Sequence, residues 1–262
     1  MEAGRSGLEL KIRAASPQRH FTPDVLLSYH GDPAVKATYI KRFADHRAAS
    51  EVVQSVGFDS LYGRFIGYML HTDQPEWLPI DVGWPIWFGE LIEAIFGGLP
   101  MNEAIQFGAD VLEAMPVGAD LEVVRIPFLL SVQQRNIVRL AGNSAACAQQ
   151  CRQAVQVVIE YLQHQNDQQP IAEPAAWAAV ESAWMAASAK TTARKSAREE
   201  VMAALSTESA ARAAALSTRA VPLAAWASAR AEKWNTKPRT RSAEWRLQSE
   251  TLLSLLRGIS SA

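Results

Sequence analysis

The stretch "HTDQPEWLPIDVGWPIWFGELIEAIFGGLP" (residues 71–100) contains the clearest helical signal in the chain. Apolar side chains recur in it every three or four positions, while Glu90 and Glu93 fall on the opposite side, as in an amphipathic helix. Two consecutive glycines then end the pattern. The stretch therefore predicts a helix over about residues 84–96. It also holds three tryptophans and five carboxylates but no Lys or Arg.

Further helices are predicted on both sides of this stretch. Asp32 and the proline after it begin a helix over about residues 33–54, because an Asp cap followed by Pro is typical of a helix start. Asn102 begins another helix, and residues 143–164 form a third. The sequence between residues 57 and 73 is punctuated by glycines, and we expect irregular backbone or a short strand-like piece there.

These patterns predict a mainly α-helical fold in two parts. A polar linker at residues 166–173 is followed by a sharp rise in alanine with spaced tryptophans, as in "PAAWAAVESAW". We therefore expect an N-terminal arm (1–22), an acidic helical domain with an irregular Gly-rich segment (23–165), and an Ala/Trp-rich helical bundle (174–262).

Several classes of protein are excluded by what the sequence lacks. No run approaches the roughly 18 apolar residues of a membrane-spanning helix, and the N-terminus has no signal-peptide core, so we expect a cytoplasmic protein without a membrane partner. Cys147 and Cys151 stand one helical turn apart and are interpreted as packing thiols. No phosphate-binding glycine loop and no metal-binding histidine spacing is present, so we expect no cofactor and no metal.

The charge is distributed unevenly along the chain. Residues 1–170 carry a net charge of −6 and residues 171–262 a net charge of +5. Residues 51–122 contain twelve Asp or Glu residues and a single base, Arg64, for a net charge of −11. This one-sided segment is the most unusual feature of the sequence.

Three blocks carry a family resemblance. They are "DPAVKATYIKRFADHRAASEVVQ" (32–54), "IFGGLP" (95–100) and "MPVGAD" (115–120). The chain resembles a family of uncharacterised proteins encoded by tailed phages and prophages over most of residues 28–130, and by composition over the alanine-rich tail. The resemblance implies a mobile-element origin and the cytoplasm of a bacterial host, but it implies no established activity.

The chain departs from that family in one block. Relatives carry "GRGCAVGCTLHS" where this sequence has "LYGRFIGYMLHT" (61–72). His71 and several glycines persist, but both cysteines of the relatives are replaced. Any thiol or metal role of those cysteines is therefore not carried over to this chain.

The charge map favours a protein that acts by binding. Host machines that handle nucleic acid line their grooves with Lys and Arg, and a surface dense in carboxylates can occupy such a groove and release the same counterions. We therefore expect a non-enzymatic inhibitor of a host defence complex, anti-CRISPR-like, whose partner is a protein or ribonucleoprotein with a basic surface. The expected contacts are Asp73, Glu76, Trp77, Asp81, Trp84, Glu90 and Glu93.

Other interpretations stay open. The acids can simply be the solvated faces of amphipathic helices. An enzyme can assemble His46 and His71 with acids such as Asp45 and Asp73, because acid–base groups need only meet in the fold. The basic clusters "ARKSAR" and "KPRTR" of the tail offer direct nucleic-acid binding, which we do not expect because both are short and lack a reading helix. The basic tail can also pair with the acidic part, within one molecule or in a homodimer.

Overall fold

A computed structural model describes most of the N-terminal two thirds of the chain and part of its C-terminal third. The described residues are 25–53, 65–72, 74–141, 148–167, 221–222, 224–225, 227–229 and 242–259. Most of them are helical, which confirms the predicted mainly α fold. Within these ranges extended pairing is limited to one isolated antiparallel bridge, between Leu27 and Asp120.

The helices are short in the first half and longer toward the end. We number them α1 (Pro33–Ala48), α2 (Phe65–Leu70), α3 (Leu78–Asp81), α4 (Ile86–Gly98), α5 (Met101–Ala114), α6 (Glu122–Ala141), α7 (Ala148–Asn166) and α8 (Ser242–Gly258). Two 3₁₀ turns, Ser28–Gly31 and Pro75–Trp77, precede α1 and α3. No helix within the described ranges is long and apolar enough to cross a membrane.

Helix α1 begins as the sequence predicts and ends earlier. The Asp32 carboxylate accepts a hydrogen bond of 2.8 Å from the backbone N–H of Ala34 and thereby caps the helix. The helix ends at Ala48, not near residue 54, because the chain turns through a positive φ of 57° at Ser50. That turn brings the Glu51 N–H back to the His46 carbonyl at 3.0 Å.

Helix α4 lies at the centre of the core. It starts two residues later than predicted, at Ile86, and its side chains at Leu91, Ile92 and Ile95 are completely buried. Gly89 allows the close approach of α3, because a Cβ there would lie 2.2 Å from a Leu78 methyl carbon. The predicted amphipathic helix is therefore present, with most of its surface covered.

The glycine-rich segment contains a helix that the sequence interpretation missed. Phe65–Leu70 form α2, and all six residues are buried. The prediction of irregular or strand-like backbone was wrong for these six because a short, wholly apolar run has no polar face to reveal its period. Residues 57–64 of the predicted segment lie outside the described ranges.

Helix α8 joins the core that the earlier helices form. It packs against α4, α5 and α6, and its Trp245 indole lies over Gly98 at the end of α4. Trp245, Leu252 and Leu256 belong to the same buried cluster as the residues of α4. The end of the predicted Ala/Trp-rich bundle therefore shares a core with the acidic helical domain. The arm, the linker and most of the bundle lie outside the described ranges, so the division into domains stays a prediction.

A buried charged network fastens α8 to α6. The Glu244 carboxylate is completely buried and accepts hydrogen bonds from Arg135 Nε at 3.2 Å and from Arg139. Gln248 Nε2 and Ser228 Oγ also donate to it, at 2.9 Å and 3.1 Å. Burial of a carboxylate requires such partners, because an unpaired buried charge is strongly unfavourable.

Candidate functional site

The seven predicted contact residues occupy very different environments. Glu76 is exposed. Trp77, Asp81, Glu90 and Glu93 are partly buried. Asp73 lies outside the described residues, and Trp84 is discussed next. The predicted binding segment is therefore only partly a surface.

Trp84 corrects the prediction of an aromatic surface anchor at this position. Its side chain is 0% exposed and packs edge-on against Tyr29 and Phe88, with ring centroids 5.8 Å and 5.6 Å away. An indole in this position stabilises the core through buried area and aromatic contacts. It cannot reach a partner while the protein is folded.

Glu93, one of the predicted contact residues, stabilises the fold through a hydrogen bond to another helix. One of its carboxylate oxygens accepts a hydrogen bond from the backbone N–H of Ile66, in the first turn of α2. The first N–H groups of a helix have no partner within the helix, and a carboxylate there also faces the positive end of the helix dipole. Glu93 thus connects α4 to α2.

Two further acids, Asp81 and Asp120, lie beside the 3₁₀ turn Ser28–Gly31 that precedes α1. The Tyr29 N–H donates to the Val82 carbonyl at 2.7 Å, and the Ser28 N–H donates to the Ala119 carbonyl at 2.9 Å. Asp81 and Asp120 are the immediate neighbours in sequence of those two acceptors, so both lie close to this turn. Their proximity depends on these backbone contacts, and sequence spacing gives no signal of it.

Glu122 extends the same surface toward α4. Its carboxylate accepts a hydrogen bond of 2.6 Å from the Trp87 indole N–H and forms an ion pair of 3.2 Å with Arg125. Glu90 lies one helical turn after Trp87 on α4. The 3₁₀ turn that contains Glu76 contacts α3 and α4. We use the name acidic face for five carboxylates in segments that contact one another: Glu76, Asp81, Glu90, Asp120 and Glu122.

Two other acids of the negative segment are engaged away from this face. Glu103 on α5 forms a bidentate pair with Arg246 on α8, at 2.6 Å and 2.7 Å. The hydrogen bonds from Arg246 hold the pKa of Glu103 below its ordinary value. Glu51 binds a histidine, as described next. The basic tail therefore does pair with the acidic part within one molecule, at least at Arg246.

A second group of polar side chains lies between the end of α1 and the end of α2. His46 Nδ1 lies 2.7 Å from a Glu51 carboxylate oxygen, and His46 Nε2 lies 3.2 Å from His71 Nε2. We call Glu51, His46 and His71 the histidine cluster. His46 is 8% exposed, whereas His71 is partly exposed. The Tyr68 hydroxyl donates to the Glu51 carbonyl at 3.0 Å and thus helps to fix the turn that carries the carboxylate.

His71 has an unusual backbone and a shifted pKa. Its φ is 54°, in the left-handed region that non-glycine residues rarely adopt. Burial lowers the pKa of His71, and electrostatic repulsion from the neighbouring Arg42 and His46 side chains lowers it further. These effects favour the neutral form of the ring.

The structure brings together the two histidines that the enzyme interpretation required, but with a different acid. Asp45 forms an ion pair of 2.6 Å with Lys41 on the exposed side of α1, and Asp73 lies outside the described residues. Glu51 is the acid that contacts His46. The two histidines are 25 positions apart, so only the packing of α1 against α2 reveals the pair. Among the described residues, no three His, Cys, Asp or Glu side chains converge as a metal-binding group.

Comparison of the chain with protein-family models, with curated proteins and with solved structures gave no match.

Proposed function

We propose that the protein binds a basic surface of another macromolecule through its acidic face and inhibits it by occupying the place of nucleic acid. The single observation that carries this proposal is the charge of residues 51–122, twelve acids against one base. A segment of ordinary solvated helices would carry both signs. Five of those acids lie in adjoining segments of the fold.

Electrostatics gives such a surface both speed and specificity. A basic groove attracts carboxylates as it attracts phosphates, so association is fast and falls with rising salt. An apolar anchor beside the charges slows dissociation. Trp77 is the partly exposed tryptophan next to Glu76, and it takes the anchoring role that the burial of Trp84 removes.

The family resemblance narrows the class of target. Proteins of phages and prophages often act by disabling host defence, and RNA-guided defence complexes present long basic grooves to nucleic acid. The proposed target is therefore a host ribonucleoprotein of this type, and the proposed activity is anti-CRISPR-like inhibition in the bacterial cytoplasm. The acidic face repels nucleic acid itself, so direct nucleic-acid binding is not part of the proposal.

The test is a competition experiment with a purified RNA-guided effector complex. The full-length protein should reduce binding of the target DNA, and the inhibition should weaken as the salt concentration rises. Reversing Glu76, Asp81 and Glu90 to Lys should weaken inhibition steeply and flatten its salt dependence. A matched control reverses Glu160, Asp167 and Glu250, which are exposed on α7, just after α7 and on α8.

Both triple variants change the net charge equally, but Asp81 and Glu90 are partly buried whereas the three control sites are exposed. Circular dichroism and a thermal melt establish that each variant is folded. Equal inhibition by the wild type and the acidic-face variant would contradict the proposal. A loss of inhibition in the control variant alone would indicate that the interface lies on the side of α7 and α8.

A further inference from the structure

The two facing histidine nitrogens have a spacing that is compatible with binding of one metal ion. Two metal–nitrogen bonds of about 2.0–2.1 Å at a tetrahedral angle place their nitrogens about 3.3–3.4 Å apart. His46 Nε2 and His71 Nε2 are 3.2 Å apart. The same distance also suits an N–H···N hydrogen bond, in which one ring keeps its proton at Nε2. The surroundings of His46 help to decide whether its Nε2 atom binds a metal ion or forms a hydrogen bond with His71.

Glu51 prepares His46 to act as a ligand. Its carboxylate lies 2.7 Å from His46 Nδ1, and in the tautomer that donates Nδ1–H to this carboxylate the neutral ring has its lone pair on Nε2, toward His71. Histidines that bind metals in proteins almost always donate their other N–H to such an outer acceptor, which fixes the tautomer and raises the basicity of the ligand. The Tyr68 hydroxyl in turn holds the Glu51 carbonyl.

We propose that His46 and His71 bind one divalent transition-metal ion through their Nε2 atoms, with Glu51 as the outer carboxylate that orients His46. Imidazole suits Cu²⁺, Ni²⁺ and Zn²⁺, whereas Mg²⁺ and Ca²⁺ prefer oxygen ligands. Because no third His, Cys, Asp or Glu among the described residues joins the pair, water completes the coordination. A site with open positions of this kind can accept a further ligand.

The charges nearest to His46 and His71 affect how tightly this pair should bind a metal ion. The positive charge of Arg42 opposes a cation, while the Glu51 carboxylate favours one. The Arg42 guanidinium donates to the Met69 carbonyl, which orients it toward α2. With two histidine ligands and this balance of charges, we expect a site that prefers Cu²⁺ over Ni²⁺ and Zn²⁺. The proposal is independent of the acidic face.

The experiment uses the full-length, untagged protein after treatment with a chelator. Calorimetric titrations with Cu²⁺, Ni²⁺, Zn²⁺ and Mg²⁺ should show one-to-one binding of the first three ions and none of Mg²⁺. His71→Ala should abolish that binding. Glu51→Gln should weaken it about 10- to 100-fold, because an amide orients His46 less well. His164→Ala, at an exposed histidine of α7, is the matched control and should bind like the wild type.

Two additional readouts distinguish metal binding at the histidine pair from metal binding elsewhere on the chain. The nitrogen couplings in the electron paramagnetic resonance spectrum of the Cu²⁺ complex should indicate two imidazoles in the wild type and not in His71→Ala. The ion should also raise the melting temperature of the wild type more than that of His71→Ala, since it binds only the folded state. Absence of binding, or binding that His71→Ala and Glu51→Gln retain unchanged, would overturn the proposal. The test does not use His46→Ala, because His46 is buried and its replacement can impair folding.

Discussion

Carboxylates in two regions of this molecule have the same chemistry and opposite surroundings. At the acidic face, Glu76 and Glu122 are exposed and the other three carboxylates are partly buried, in a stretch of sequence with few bases. At the interface of α6 and α8, Glu244 is completely buried between Arg135 and Arg139. The net charge of a segment therefore does not show which of its individual acids hold the fold together. Burial and partners decide whether an acid holds the fold together or remains available to another molecule.

The largest expected effect is at the buried carboxylate. Glu244→Ala should lower the free energy of unfolding by about 3–5 kcal/mol, because it leaves two guanidinium groups without their buried counterion. Urea denaturation monitored by circular dichroism measures the change. Glu250→Ala is the matched control, since Glu250 is an exposed acid on the same helix. It should change stability by no more than about 0.5 kcal/mol. Similar changes in the free energy of unfolding for Glu244→Ala and Glu250→Ala would contradict the difference between buried and exposed carboxylates.

A comparable effect is expected at the tryptophan beneath the acidic face. Trp84→Ala should cost about 3–5 kcal/mol, because it removes a completely buried indole from contact with Tyr29 and Phe88. Trp77→Ala should cost clearly less, since its side chain is only partly buried. The same denaturation experiment measures both. A smaller loss of stability in Trp84→Ala than in Trp77→Ala would contradict the burial of Trp84.

The parts of the fold that could be predicted depend on neighbours in sequence. The cap of α1 at Asp32 and the apolar pattern of α4 involve residues within a few positions of one another, and both are present near the predicted bounds. Helix α2 was missed because its six residues are all apolar. The end of α1 was misplaced because the turn at Ser50 is stabilised by contacts to His46 and not by a residue that typically ends helices.

The candidate sites could be predicted only in part, for a related reason. The negative charge of residues 51–122 is visible in the sequence, but the contacts of Glu51, Glu93 and Glu103 with distant partners are not. Trp84 was assigned to the surface because it stands among acids and prolines. Its real neighbour Tyr29 is 55 positions away. Sequence spacing likewise gives no indication that His46 meets His71.

The smallest expected effect concerns Glu103, whose exposure lies between that of the exposed Glu76 and that of the buried Glu244. Glu103 and Arg246 form a bidentate pair with both side chains about half exposed. A double-mutant cycle with Glu103→Gln and Arg246→Gln should show a weak coupling that nearly disappears in about 1 M salt, where screening acts within a few ångströms. Screening of this kind should leave the buried Glu244 network largely unaffected.

The pH dependence of that coupling follows from the lowered pKa of Glu103. A carboxyl group whose pKa is lower in the folded than in the unfolded protein binds fewer protons when folded, so its contribution is fully present above the unfolded pKa. The contribution falls as the pH decreases through that value toward the folded pKa. Measuring the cycle at neutral and at acidic pH should therefore show the coupling only at neutral pH. A coupling that persists in high salt would mean that the pair joins α5 to α8 by packing of the Arg246 side chain and not by its charge.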